Sequence, residues 1–186
     1  MHSPLKRALD RWTLSAAVVM TFVLWGSATW AADTTVAKAS APAIRARVVE
    51  LVNVARGKSR RCGSDYYAAT SPLSVDPDLN AAAASHARDM AKRKFFEHEG
   101  SDGSQPRDRV ARVGYRSQLT GENIAYGPES AEEVVAGWLA SPGHCANIME
   151  PRFHDIGVGF ATGRKRGQIY WVQDFGAPRR GDQSRK

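Results

Sequence analysis

The chain has 186 residues, a formal charge of +7 and only two cysteines. Beyond an N-terminal targeting segment, about 155 residues remain, enough for one domain with its own core, which excludes a small fold stapled by several disulfides. The positive balance comes with no nucleic-acid-binding motif, so no nucleic-acid partner is expected, and the basic clusters at 58–61, 164–166 and the tail read as solvated faces that suit anionic envelope polymers or membranes through general attraction.

Lys6, Arg7 and Arg11 precede an apolar run from Trp12 to Trp25, and small residues follow in GSATWAADT. Basic, apolar and small segments in that order make a secretory signal peptide, assigned to residues 1–31, with cuts after Ala28 and after Ala31 both fitting. The apolar run is shorter than the roughly 20 residues needed to span a bilayer. An uncleaved anchor is the alternative; after cleavage no transmembrane segment is expected. The expected location is secreted or periplasmic, and the exported part keeps a charge near +5, since Lys6, Arg7 and Arg11 leave with Asp10. Residues 32–43 are small and polar and read as a linker.

From Ile44 the positions Ile44, Val48, Leu51, Val52 and Ala55 follow helical spacing, and the domain is placed at 44–177. GKSRRCGSDYYAATSPLSV reads as loop. Asp76 and Pro77 then supply an N-cap and a first-turn proline for a helix whose apolar face runs Leu79, Ala83, His86 and Met90. A turn-rich loop, EHEGSDGSQP, leads to a short helix over 107–113. TGENIAYG is extended. Ser130 with Glu133 forms a capping box for a helix burying Val134, Val135, Trp138 and Leu139, which Pro142–Gly143 ends. DIGVGFAT and GQIYWVQDFG alternate as strands joined in a hairpin by GRKRG, and a basic tail fills 178–186. Helices followed by a strand hairpin indicate an α+β domain with an antiparallel sheet. A single copy with no internal repeat reads as a monomer.

Oxidising compartments favour disulfides, and Cys62 is the one available partner for Cys145. The pair is expected to bridge, which makes His144 and Cys145 neighbours with separate roles rather than base and nucleophile. His98 lies in the glycine-rich FFEHEGSDGS, Glu122 between Gly121 and Asn123, and His144 after the Pro–Gly turn. Two imidazoles and a carboxylate are a competent zinc set with one position open, although neither HExxH nor paired CxxC spacing supports it. Plainer expectations hold elsewhere: His86 as a core histidine, His154 at the surface, Asp102 and Ser104 in turn hydrogen bonds, Glu97 and Glu99 solvated, and Trp138, Tyr170, Trp171 and Phe175 in the core.

The ordered blocks LVNVAR, LNAAAASHARDMA, FFEHEGSDGS, GENIAYG, VVAGWLASPGHCANIM, IGVGFA and YWVQDFG resemble the CAP superfamily of cysteine-rich secretory, antigen 5 and pathogenesis-related proteins, in its compact bacterial branch. The resemblance covers residues 44–177. It implies an α–β–α sandwich with a central antiparallel sheet and a cavity lined by two histidines and two acids, with divalent metal, often zinc, at the histidines. His98, Glu122 and His144 match three of those positions. Ser141 stands where the second acid is expected. Asn53 and Arg56 match a structural Asn-x-x-Arg of the first helix, and the C-terminal cysteine motif of the eukaryotic members is absent.

Members of the superfamily share no common reaction, and three functions follow as expectations. The first is a secreted binding module holding Zn2+ or another divalent cation through His98, His144 and Glu122, with an envelope component, lipid or protein as partner. The second is a zinc-dependent hydrolase with Glu122 as general base, or with His144 as base toward Ser141. The third is a structural envelope protein in which His98, Glu122 and His144 hydrogen-bond without metal.

Overall fold

The computed structural model describes residues 39–165 and 167–179. The signal segment, most of the linker, Arg166 and the tail from residue 180 lie outside the described residues. Helix α1 (Ala41–Arg56) opens on Ser40, whose hydroxyl caps the Ala43 amide, so the last three residues read as linker already form its first turn. A two-stranded hairpin follows, β1 (Arg60–Cys62) and β2 (Asp65–Tyr67). Next come β3 (Ser74–Val75), α2 (Pro77–Arg93), α3 (Pro106–Arg112) and β4 (Ser117–Tyr126). The chain ends with α4 (Ala131–Ala140), α5 (Pro142–Met149), β5 (Asp155–Thr162) and β6 (Ile169–Pro178).

The main sheet has the order β3-β5-β6-β4. Its three long strands pair antiparallel as expected, but two-residue β3 joins the edge in parallel with β5. Such a strand is too short to show a period in the sequence. Helix α2 covers one face, where Ala83, Ala87 and Met90 meet Ile124, Tyr170 and Val172. Helices α1, α4 and α5 cover the other, where Val52, Trp138 and Ile148 meet Val158, Trp171 and Phe175. The result is the expected α–β–α sandwich, with residues of β6 alternating between two cores.

Two glycines set the spacing of the α2 layer. A Cβ on Gly157 would run into the backbone of Leu79 and Asn80, and one on Gly159 into the backbone of Ala83 and Ala84. Backbone cannot swing aside as a side chain does, so the alanine-rich face of α2 presses on strand β5 where it has no side chains. Gly159→Ala should destabilise the domain by about 1–3 kcal/mol or more through overpacking. The midpoint of urea unfolding checks this, and an unchanged midpoint refutes the close approach.

The stretch GKSRRCGSDYYAATSPLSV, expected to be loop, holds the short strands β1, β2 and β3, each of two or three residues and too short to show a period. Helix α5 is a further element not expected from the sequence. Pro142–Gly143 ends α4 as predicted, but proline is also favoured at the first position of a helix, and the chain re-enters helix at once with Pro142 in that place. His144 and Cys145 therefore sit on a helix rather than a loop. Cys145 is fully buried and bonded to Cys62, with the two Cα atoms 5.4 Å apart. Asn53 and Arg56 are structural, as the resemblance implied. Asn53 exchanges two hydrogen bonds with the Leu73 backbone. Arg56, fully buried, donates to the carbonyls of Ser71, Ile148 and Glu150 at 2.7–3.0 Å, and burial pulls its pKa down to about 10.

Candidate functional site

Strand β4 is an edge of the sheet, so side chains arriving from both helical layers can meet around it. From the α2 side comes His98. Helix α2 stops at Lys94, which adopts a left-handed conformation (φ 61°), and the following loop is tied down at several points. The half of His86 facing the loop donates from Nε2 to the Glu97 carbonyl at 2.9 Å. Asp89 accepts from the amide and hydroxyl of Ser101, and Asp102 accepts from the Ser104 amide. Buried Arg109 of α3 reaches across to the carbonyls of Ser104 and His98 at 2.7 and 2.9 Å.

Glu122 sits at the centre, its side chain only 1% exposed. One oxygen meets His98 Nδ1 at 2.7 Å and the other meets Arg109 Nη2 at 2.6 Å. Directly across the β4–β6 register stands Asp174, fully buried, with no hydrogen-bond donor at either oxygen among the described residues. Burial, then the Glu122 charge, pushes the Asp174 carboxyl well above the usual carboxylate range. Arg109 and Glu122 thus act on Asp174 in opposite directions, and burial, the largest cause, favours its protonated form.

From the opposite layer comes His144. Its carbonyl accepts from Asn123 Nδ2 at 3.1 Å, and Asn123 also donates to Gln173. Asn147, one turn further along α5, donates to the Glu122 carbonyl and to Asn123 Oδ1. His98 and His144 are near enough that the charge on one lowers the pKa of the other, although burial is the larger cause of the His144 shift. His98 moves the opposite way, because its hydrogen bond to Glu122 outweighs burial. The two shifts have opposite consequences for stability. The His98 contribution is complete below about pH 6.5 and is lost as pH rises through its raised folded value. The His144 shift disfavours the fold as pH drops below about 6.5, where the unfolded chain takes the proton first.

The structure thus brings His98 and Glu122 into contact and sets His144 beside them. It does not bring in Ser141. That residue lies at the α4–α5 junction, where its carbonyl accepts from the Cys145 amide at 2.8 Å and its hydroxyl makes no capping bond. The second acid near the site is Asp174, which falls in the predicted strand GQIYWVQDFG, and the cation is Arg109, which falls in the predicted short helix over 107–113. A signal for the first was present: Gln173–Asp174 interrupts an otherwise apolar strand, and polar residues in a central strand need partners.

Both Glu122 oxygens are engaged, and among the described residues no group of three or more His, Cys, Asp or Glu side chains is arranged to hold a metal ion. Two imidazoles do fit such a role. His144 is kept neutral by burial, and His98, held at Nδ1 by a carboxylate, presents Nε2; a carboxylate behind a ligating imidazole is the usual supporting arrangement.

The family described as "CAP: Cysteine-rich secretory protein family" matches residues 49–175. The uncharacterized protein YkwD of Bacillus subtilis (strain 168) is 36% identical over 142 residues, covering 76% of this chain and 50% of that protein. The chain thus spans half the length of this curated relative. An extracellular protein containing a SCP domain from Bacillus anthracis str. Ames superposes with a TM-score of 0.59 at 26% identity, covering 71% of this chain and 39% of that one. NaASP2, solved with Zn2+, superposes with a TM-score of 0.50 at 19% identity over 72% of this chain and 79% of its own.

Proposed function

We propose, from the premise that this chain belongs to the cysteine-rich secretory protein (CAP) family, that it is an exported binding module whose His98–His144 pair takes a divalent cation. The carrying observation is the Glu122 carboxylate held between His98 Nδ1 and Arg109. Such a clamp fixes one imidazole with its outer nitrogen free while the other approaches from the opposite layer. NaASP2 with Zn2+ supports zinc as the ion to test first. A bound zinc would supply a Lewis-acidic centre with open positions, to which an oxygen or nitrogen of an envelope component, a lipid or a protein partner could bind.

Export fits a buried Cys62–Cys145 disulfide and the signal-like segment 1–31, and among the described residues no helix is long and apolar enough to cross a membrane. Glu122 is poorly suited to be the general base of a hydrolase, since a base needs a free lone pair aimed at water and both of its oxygens are engaged by His98 and Arg109. Nor is Ser141 within the polar network that a serine nucleophile would require.

Calorimetric titration of zinc into the oxidised protein tests the reading. One equivalent should bind, His98→Ala and His144→Ala should each abolish it, and Glu122→Gln should weaken it by about 10–100-fold, the usual effect of losing a supporting carboxylate. Zinc binding that survives both histidine substitutions refutes the site. Absence of binding leaves the polar cluster as a brace between helices and sheet.

A further inference from the structure

A different concave surface lies between the C-terminal half of α2 and the turn joining β5 to β6. The cleft encloses about 620 Å³ and is lined by Arg88, Lys92, Lys94 and Arg164, with Thr162 and Gln168 as its neutral polar wall. No acidic residue lines it, and none of the four cations has an ion-pair partner among the described residues. All four are exposed.

The charge arrangement is locally unfavourable. Arg88 and Lys92 stand one helical turn apart, where like charges repel and weaken the helix. On the neighbouring stripe of the same helix the opposite choice is made: Arg93 pairs with Asp89 at 3.1 Å. Lys94 adds a second cost. It is the one non-glycine residue with positive φ among the described residues, at a helix-ending position where glycine is the usual occupant. A cation is kept there against backbone preference.

The facing wall is held in place. The turn is closed by the Gly163 amide donating to the Gln168 carbonyl at 2.5 Å and the Gln168 amide donating to Lys165 O at 3.2 Å. The Gln168 side chain completes it by accepting from the Lys165 amide at 3.1 Å. Arg164 is thereby presented from a hydrogen-bonded turn opposite the helix.

We propose that this cleft binds a chain-like polyanion bearing phosphate groups, such as a phosphodiester-linked polymer. Guanidinium groups bind phosphate oxygens bidentately, and two arginines and two lysines spaced along a groove match anionic groups repeated along a strand. A strand lying along the cleft meets cations from both walls, Arg88, Lys92 and Lys94 on one and Arg164 on the other. Binding neutralises the repulsion that the free protein carries.

The test compares two variants of equal charge. One replaces Arg88, Lys92, Lys94 and Arg164 with glutamine; the other replaces Lys58, Arg61, Arg107 and Arg116, which are exposed elsewhere. A short linear polyphosphate is titrated into each, and vesicles of phosphatidylglycerol in phosphatidylcholine serve as the lipid arm. With four phosphates engaged and single-stranded nucleic acid as the calibration, wild-type affinity should fall roughly 50-fold between about 50 and 200 mM salt. The cleft variant should bind polyphosphate at least about tenfold more weakly than the control variant and lose most of that salt dependence. Polyphosphate should also raise the melting temperature of the wild type and of the control but not of the cleft variant. Equal weakening of both variants would mean net charge alone and overturn the proposal. So would a wild type that ignores polyphosphate, or one that binds only the vesicles.

Discussion

Replacing both Cys62 and Cys145 by alanine is expected to lower the unfolding free energy by about 4–5 kcal/mol. The bond closes a loop across a sequence separation of 83 residues, and the chain-entropy model assigns that value to a loop of this size. The consequence is local as well as global. Helix α5 has eight residues, too few to persist without tertiary support. The disulfide anchors it to the β1–β2 hairpin, whose Gly63 turn packs against Pro142. Urea unfolding of the oxidised protein beside the double variant measures the energy. The double variant should also bind zinc more weakly, because His144 precedes the anchored Cys145. A loss under about 1 kcal/mol, with zinc affinity unchanged, would show that Asn123 and Asn147 alone hold the helix.

Arg109→Met should be nearly as damaging, at about 3–5 kcal/mol near neutral pH, the usual result of leaving one partner of a buried ion pair behind. Arg109 and Glu122 are 6% and 1% exposed and 2.6 Å apart, and Asp174 lies across the register from Glu122. Without the guanidinium the buried carboxylate is left without its cation, and denaturant midpoints beside the wild type measure the loss. Asp174→Asn is the control with the opposite sign. In the native protein Asp174 holds its proton over a range where the unfolded chain, with an ordinary carboxylate near 3.8, has released it. That makes native stability fall as pH rises from about 4 through the raised folded value. Asparagine removes the fall: little change near pH 4 and a more stable protein near pH 8. Denaturant midpoints across that range decide it. An Asp174→Asn variant that is less stable at about pH 8 would show that the charged carboxylate is needed.

Long periodic elements were readable from the residues alone. Helix α2, the capped α4 and the β5–β6 hairpin all stand where their apolar spacing put them, and Trp138, Tyr170, Trp171 and Phe175 are buried as expected. His86 is the core histidine predicted, 1% exposed with one satisfied ring nitrogen. His154 is exposed, and the Cys62–Cys145 pairing holds. What could not be read were elements without a period, such as β3, and punctuation with two meanings, such as Pro142–Gly143. At the site, His98, Glu122 and His144 could be picked out by residue type. Arg109 and Asp174 could not, because their importance comes from facing one buried carboxylate after the chain has folded, across separations of 13 and 52 residues from Glu122.

Strand β4 has ten residues and sits at the sheet's margin, the sort of border along which a second polypeptide could add itself and start an aggregate. Two of its backbone oxygens are already claimed: Asn147 donates to Glu122 O at 3.1 Å, and the Trp138 indole donates to Ile124 O at 3.2 Å. Asn147, which steadies the polar cluster, thus also helps close the border to strangers. Losing Asn147 would disturb the polar cluster and free one of these two oxygens, so the order of the cluster and the strand's resistance to recruiting its own kind share one hydrogen bond.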